Sequence, residues 1–407
     1  MKQLTLAASI LLAASPVIAG QLKIESWRTD DAAIWQDVLI PAFNAQYPDI
    51  EVTFDPVAPA DYDSELRTRL ENGSAGDLIT CRPFDVSLGL YNDGHLQDLT
   101  ALNGIVNFQG FARSAWQTDD GFTTFCLPMA SVVHGFFYNQ DIFNQLGLTP
   151  PTTQAEFDAV LAAVKDAGIT PMAMGTADQW EAATMGFQNI GPNYWKGEDG
   201  RFALLDGDDK FTDEAYVKTL QRLAGWGDYL GEGFASRGYG DAQAMFANGE
   251  AAIYPAGSWD IATFNGKVNF SAFAPPVEND GDRCYISDHT DIGMGINANS
   301  ANSEEAQTFL NWMSGKEFAE LYSNALPGFF SLSSHVIKVD DPVANTMINW
   351  RVECGSTIRN SYQILSRGEP NLERELWAVS AGVINGEISP EAGAARLQEG
   401  LDGWYEP

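Results

Sequence analysis

The order of short strands and helices after the first twenty residues limits the fold of this chain more than any single motif. Leu22-Lys23-Ile24-Glu25-Ser26-Trp27 alternates apolar and polar residues as a half-buried strand does. Residues 33–47 then carry Ile34, Val38 and Phe43 at helical spacing, and Ile50-Glu51-Val52-Thr53-Phe54 alternates again. Residues 62–72 read as a helix ending at Gly73, and Asp77-Leu78-Ile79-Thr80-Cys81 as a buried strand. Strand, helix, strand, helix, strand predicts an α/β fold with a mainly parallel sheet flanked by helices. A second run begins near Val132, where Phe136-Phe137-Tyr138 leads to a turn at Asn139. Thr153 and Glu156 have the spacing of a capping box, opening a helix that reaches Ala167 before Gly168. Helices are predicted at 213–230 and 239–247, and strands at 251–254 and 270–274 complete a second sheet. No low-complexity tether separates the two runs, so crossing strands are predicted to join them.

Met1-Lys2, the apolar run 4–14 and Ser15-Pro16-Val17-Ile18-Ala19 form a secretory leader, with cleavage expected after Ala19. The run is shorter than the roughly 20 apolar residues that span a bilayer, and no cysteine stands at the cleavage point to take a lipid. The remainder of the 407 residues suggests two domains. A formal charge of −32, from 55 Asp and Glu against 23 Lys and Arg, disfavours binding to nucleic-acid phosphates. Cys81, Cys126, Cys284 and Cys354 lack the close paired spacing of a zinc site, and an oxidising compartment makes disulfides the default, with three connectivities open. No metal or cofactor is expected.

Several stretches, in this order, carry a resemblance to a known family. They are Trp27-Arg28-Thr29-Asp30-Asp31; the segment 66–81 with Asn72-Gly73 and Asp77-Leu78-Ile79; and Leu127-Pro128 followed by Tyr138-Asn139 and Asp141-Ile142-Phe143. Then come Met245-Phe246-Ala247-Asn248-Gly249-Glu250-Ala251-Ala252-Ile253 leading to Gly257-Ser258-Trp259, Asp291-Ile292-Gly293-Met294-Gly295-Ile296-Asn297, and Leu326-Pro327-Gly328-Phe329. Over nearly the whole mature chain the sequence resembles the extracellular solute-binding family that includes the maltose- and glucose-binding proteins of bacterial ABC importers. It departs from the pattern at Gly76 and Cys81-Arg82, where relatives often have proline and an aromatic residue. It departs again at Met129-Ala130-Ser131-Val132, where malto-oligosaccharide binders carry a glutamate, so maltose itself is not the expected ligand.

The resemblance implies a two-lobed periplasmic-binding-protein fold with the ligand cleft between the lobes. It implies discontinuous lobes, 20–130 with 290–337 and 131–289 with 338–407, joined near Ser131, His289 and Ile337. It pairs Cys81 with Cys126, as neighbours in the first sheet, and leaves Cys284 and Cys354 to each other in the second lobe. The function it implies is a periplasmic receptor, expected to be monomeric and not an enzyme, that hands a small carbohydrate to the permease of an ABC transporter in the inner membrane.

A sugar ring has apolar C–H faces and a rim of hydroxyls, which call for aromatic platforms and charge-assisted hydrogen bonds. Such pairs recur at Trp27-Arg28 with Asp30, at Trp180-Glu181 and at Trp259-Asp260. With Arg82, Asp85, His289, Asp291 and Phe329 these supply the candidate ligand contacts: Trp27, Arg28, Asp30, Arg82, Asp85, Trp180, Glu181, Trp259, His289, Asp291 and Phe329. Trp27, as a strand's last residue, is equally suited to fill the core; Arg28, Arg82 and Asp85 to be surface charges; Asp291 to cap a loop. Trp195, Trp226, Trp312 and Trp350 read as packing residues. Arg28 and Arg82 leave open a receptor for an anionic sugar or polar osmolyte, and carboxylates beside tryptophans leave open a secreted glycosidase or lyase.

Overall fold

The computed structural model describes residues 20–58, 61–361 and 363–407, without the side chain of Asp30; the leader therefore lies outside the described residues. Strand β1 (Gly20–Ser26) pairs in parallel with β2 (Ile50–Pro56) and with β3 (Leu78–Cys81). In β2 the alternation seen in the sequence becomes a buried face of Ile50, Val52 and Phe54 and an exposed face of Glu51, Thr53 and Asp55. The helical stretch between β1 and β2 runs from Ala32 to Gln46 through a π turn at Trp35–Leu39, and it buries Trp35, Leu39, Ile40 and Phe43 against the sheet. The helix Tyr62–Glu71 buries Tyr62, Leu66 and Leu70, one stripe at four-residue spacing.

The remaining strands are β4 (Leu127–Asn139), β5 (Thr170–Met172), β6 (Ala251–Gly257), β7 (Phe270–Phe273), β8 (Tyr285–Ile296), β9 (Phe330–Ser331) and β10 (Gly355–Thr357). The sequence predicts two separate sheets; the structure has one continuous ten-stranded sheet, with the path β2-β1-β3-β8-β4-β6-β5. The difference lies in β4 and β8, which at 13 and 12 residues are long enough to belong to both halves. The N-terminal end of β4 pairs with β8 and β9 and its C-terminal end with β6 and β7, while β8 meets β3 at one end and β10 at the other. These crossing strands pair with each other and with β3, β6 and β7 in antiparallel sense, while β1 with β2 and β3, β5 with β6 and β8 with β10 are parallel, so the sheet expected to be mainly parallel is mixed. Two register shifts interrupt β4 against β8 between Pro128 and Ser131.

Two large cores sit on either side of the crossing. One gathers Ile24, Leu39, Phe43, Leu78, Met294 and Phe309, and the other Phe136, Phe157, Leu220, Trp226, Leu376 and Val379. A third cluster, with Val133, Phe137, Tyr254, Ile337 and Trp350, lies against the crossing itself. Trp195, Trp226, Trp312 and Trp350 are all buried, as packing residues should be. Disulfides join Cys81 to Cys126 and Cys284 to Cys354, with Cα atoms 6.6 and 4.8 Å apart. The capping box at Thr153 and Glu156 is formed. No described helix is long and apolar enough to cross a membrane.

One buried ion pair holds the crossing segments together. Arg351, on the helix Pro342–Glu353, donates from Nε to Asp288 Oδ2 at 2.7 Å, from Nη2 to Oδ1 at 2.9 Å, and from Nη1 to the Ser331 carbonyl at 2.7 Å. Asp288 of β8 also receives the hydroxyls of Ser131 in β4 and Ser356 in β10. Its side chain is 0% exposed and that of Arg351 16%, so removing the arginine strands a buried carboxylate. Arg351→Met is expected to lower the free energy of urea unfolding by about 3 to 5 kcal/mol, and adding Asp288→Asn to restore most of that loss. Equal losses in the single and double variants would show that packing, not charge, is what the pair contributes.

Candidate functional site

The end of β1 forms one wall of the site. Trp27 follows the last residue of the strand and packs on Tyr62 with ring centroids 5.4 Å apart. Its other neighbour is Arg82, whose guanidinium lies 4.5 Å from the ring centroid and which pairs through Nε with Asp63 at 2.9 Å. Arg28 makes a fork to Asp31, Nε to Oδ2 at 2.8 Å and Nη2 to Oδ1 at 2.7 Å, and its guanidinium lies 4.8 Å from the Phe329 ring centroid. Asp291, half-buried on β8, stands close to Arg28, Arg359 and Arg82. Burial raises its carboxyl above the ordinary value and the three arginines oppose that rise.

The opposite wall comes from the loop before Ala182 and the turn after β6. Trp259 lies in the turn Ser258–Asp260, and its ring rests so closely on Gly257 that a Cβ there would fall 2.0 Å from Trp259 Cζ3. Only glycine permits that approach. The same turn is tied to the other wall. Ser258 Oγ donates to the Gly328 carbonyl at 2.5 Å, and Gly328, at φ 100°, has no room for a Cβ, which would lie 2.0 Å from the Ser258 carbonyl oxygen. Phe329 follows directly, so Trp259, Phe329 and Arg28 are linked in space. Trp180 meets Tyr239 edge-on at 4.9 Å, and Tyr239 accepts the indole N–H of Trp259 at 2.7 Å.

Between the walls the floor is a pair of histidines. His134, buried on β4, meets Trp259 at 5.3 Å and His289 at 6.3 Å between ring centroids. Its Nδ1 donates to the Thr184 carbonyl at 3.1 Å, which leaves Nε2 as the acceptor of the neutral ring. Nε2 has no hydrogen-bond partner among the described residues. Burial first, and then the positive charge of Arg359, hold both histidines well below the ordinary imidazole range. The floor is therefore neutral near pH 7.

The structure thus links Arg28, Arg82, Asp291 and Phe329 on one side, and His289 and Trp259 through His134 on the other, with Trp180 edge-on to Tyr239; Trp27 is buried in the first core beneath Arg82, and Glu181 lies near Asp178, Asp260 and Arg237. Asp30 cannot be placed, because its side chain lies outside the described residues. Asp85 is engaged elsewhere: Arg367 reaches it at 2.6 Å and Asp119 at 2.7 Å, an ion-pair bridge from the second half of the chain to the first. Gln363 Nε2 donates to the Ser114 carbonyl at 2.6 Å beside it. Sequence reading missed His134, Arg359 and Tyr239. A lone histidine in the apolar run of β4 was a signal for the first, and the i, i+4 pair Tyr239 and Gln243 for the third; Arg359, in an irregular segment, gave none.

The chain has three kinds of relationship to known proteins. The sequence pattern of the family described as bacterial extracellular solute-binding protein matches residues 26–320. A protein of Streptococcus mutans named multiple sugar-binding protein is 24% identical over 300 residues, which cover 70% of this chain and 69% of the relative. The apo form of RafE from Streptococcus pneumoniae superposes with a TM-score of 0.77 at 19% identity, covering 96% of this chain and 99% of the other. The solute receptor AcbH, reported with an exclusive preference for β-D-galactopyranose, gives 0.75 at 18% identity, covering 96% and 98%.

Glu181 provides a test by pH. It is fully buried, and neither carboxylate oxygen has a hydrogen-bond partner among the described residues. Burial first, then Asp178 and Asp260, push its carboxyl up to about 8 from 4.5, with Arg237 opposing. Between those two values the folded state keeps a proton that the unfolded chain has released, so this group makes stability fall as pH rises through the window. Glu181→Gln is expected to melt near the wild-type temperature at about pH 5 and increasingly above it toward about pH 8. A difference that does not change with pH would place the Glu181 carboxyl in another environment.

Proposed function

The chain belongs to the bacterial extracellular solute-binding proteins, and from that membership we propose that it captures a small neutral saccharide between its lobes and delivers it to the permease of an ABC importer. The observation that carries this reading is Trp259 set against the neutral pair His134 and His289, in a turn tied through the Gly328 carbonyl to the segment that carries Phe329 and faces Arg28. Trp259 offers an indole face for a sugar's C–H surface, His134 Nε2 an acceptor for a hydroxyl, and Asp291 a carboxyl beside Arg28 and Arg82. RafE has been solved with raffinose bound, AcbH is described as a galactose receptor, and a further neighbour of TM-score 0.71 is a chitin oligosaccharide binding protein. These precedents motivate mono-, di- and short oligosaccharides as the ligand class.

Charge favours a neutral ligand over an anionic one. Arg28 is paired with Asp31, Arg82 with Asp63, and Arg359 with Glu373 at 3.7 Å, so each cation already faces a carboxylate. An anionic sugar would have to compete with all three. We take the protein to be a receptor without catalytic residues, exported by its leader to the periplasm, free of a lipid anchor and acting as a monomer. Its lobes are taken as 20–130 with 290–337 and 131–289 with 338–407. A ligand touching both walls when closed and one when open binds the closed state more tightly, and so shifts the population toward closure.

Thermal shift with galactose, raffinose and chitin oligosaccharides tests the ligand class. A ligand at 100 times its Kd is expected to add roughly 2.7 kcal/mol of stability. Stabilisation by uronic acids and by no neutral sugar would overturn the neutral assignment. With a ligand in hand, Trp259→Ala is expected to weaken binding by about 2 kcal/mol in titration calorimetry while the unliganded melting temperature changes little. Unchanged affinity with a collapsed melting temperature would make Trp259 a core residue.

A further inference from the structure

Tyr239 contacts both indoles of the second wall. Its ring meets Trp180 at 4.9 Å, and its hydroxyl oxygen lies 2.7 Å from Trp259 Nε1 and 2.6 Å from Asp260 Oδ1. An indole nitrogen can only donate, so Tyr239 Oη accepts from Trp259 and its own hydrogen goes to Asp260. Asp260 is buried, and it also receives Gln243 Nε2 at 2.7 Å on the same oxygen and Tyr254 Oη at 2.9 Å on the other. The direction of the chain is thereby set: Trp259 to Tyr239 to Asp260.

Local sequence explains the assembly. Tyr239 and Gln243 are one turn apart on the helix Tyr239–Ala247 and face the same way. Asp260 directly follows Trp259, so carboxylate and indole leave the same short turn. The Tyr239 backbone N–H donates to Asp178 Oδ2 at 2.8 Å, which ties the loop carrying Trp180 to the start of this helix.

We infer that Tyr239 and Asp260 are positioning residues, which hold the Trp259 ring flat over Gly257 with Trp180 edge-on beside Tyr239 and so determine which saccharide face can stack. The orientation of the indole follows from the hydrogen bonds alone; its effect on affinity rests on the saccharide-receptor function proposed above.

The test reads the indole directly. In a nitrogen–proton correlation spectrum of the unliganded, nitrogen-15-labelled protein, the Trp259 side-chain resonance is identified by its loss in Trp259→Phe. In Tyr239→Phe, which keeps the ring and removes the hydroxyl, that resonance is expected to move upfield and exchange faster with solvent. Asp260→Asn, which places a donor among donors, is expected to move it too. Gln243→Leu removes another donor from the same carboxylate without removing a hydrogen bond to Tyr239 or Trp259, and should leave the resonance in place. An unmoved resonance in Tyr239→Phe, or an equal displacement in Gln243→Leu, overturns the proposal. Calorimetry with raffinose and D-galactose adds the functional arm, in which Tyr239→Phe weakens whichever sugar binds by roughly five- to tenfold at an unchanged melting temperature. If the wild-type protein binds neither sugar, those ligands are excluded, and the indole spectrum still decides the positioning role.

Discussion

The pair of Asp288 and Arg351 is the interaction on which the rest of the molecule depends. Arg351 reaches from a helix of the second half to β8 through the carboxylate and to β9 through the Ser331 carbonyl. Asp288 in turn gathers hydroxyls from β4 and β10. A hydrophobic contact would hold these strands together without specifying their register. A buried carboxylate with several donors converging on it does specify register, because any slip leaves it unpaired in a medium where that is costly. The network sits beside the register shifts of β4 against β8, where the sheet passes from one core to the other. The histidine pair adjoins this point, since His134 and His289 are each within three residues of Ser131 or Asp288.

Much of the fold was legible because its signals are local. The exposed face of β2, the helix 239–247 and the capping box at Thr153 each follow from residues within a turn or two of one another. The disulfide partners came from the family resemblance, and residue spacing alone had left three connectivities. What could not be read was the continuity of the sheet. β4 is buried along nearly its whole length, so its sequence is an apolar run with no mark where it leaves one core for the next. The antiparallel pairing of β4 and β8 joins residues 157 apart at Ser131 and Asp288, and no local pattern encodes that meeting.

The site shows the same division. Tryptophan beside a charged residue singles out Trp27, Trp180 and Trp259 in sequence, but what each ring meets comes from elsewhere in the chain: Tyr62 and Arg82 for the first, Tyr239 for the second, His134 and Tyr239 for the third. Charges were harder. Arg82 and Asp85 look alike in sequence as charges at a strand's end, yet one lies over Trp27 and the other faces Arg367, 282 residues away. Where a long side chain finds its counter-ion depends on the tertiary fold, and so does whether a carboxylate is left for a ligand.

The bridge from Arg367 to Asp85 and Asp119 bears on how closure is governed. Its three side chains are 32%, 46% and 47% exposed, and exposed pairs of this kind contribute about 0 to 1 kcal/mol each and weaken with salt. Turning a cleft from almost always open to almost always closed takes about 5.5 kcal/mol of differential binding. The bridge is therefore too weak to fix the two halves against each other unaided. On the function proposed above, the larger share would come from a ligand that touches Arg28 and Asp291 on one side and Trp259 on the other at once. In that reading the indole anchored through Tyr239 to the buried Asp260 would meet a ligand already oriented, so that less ordering of the ring is needed when a contact from the other side completes the site, and it is that added contact which shifts the population.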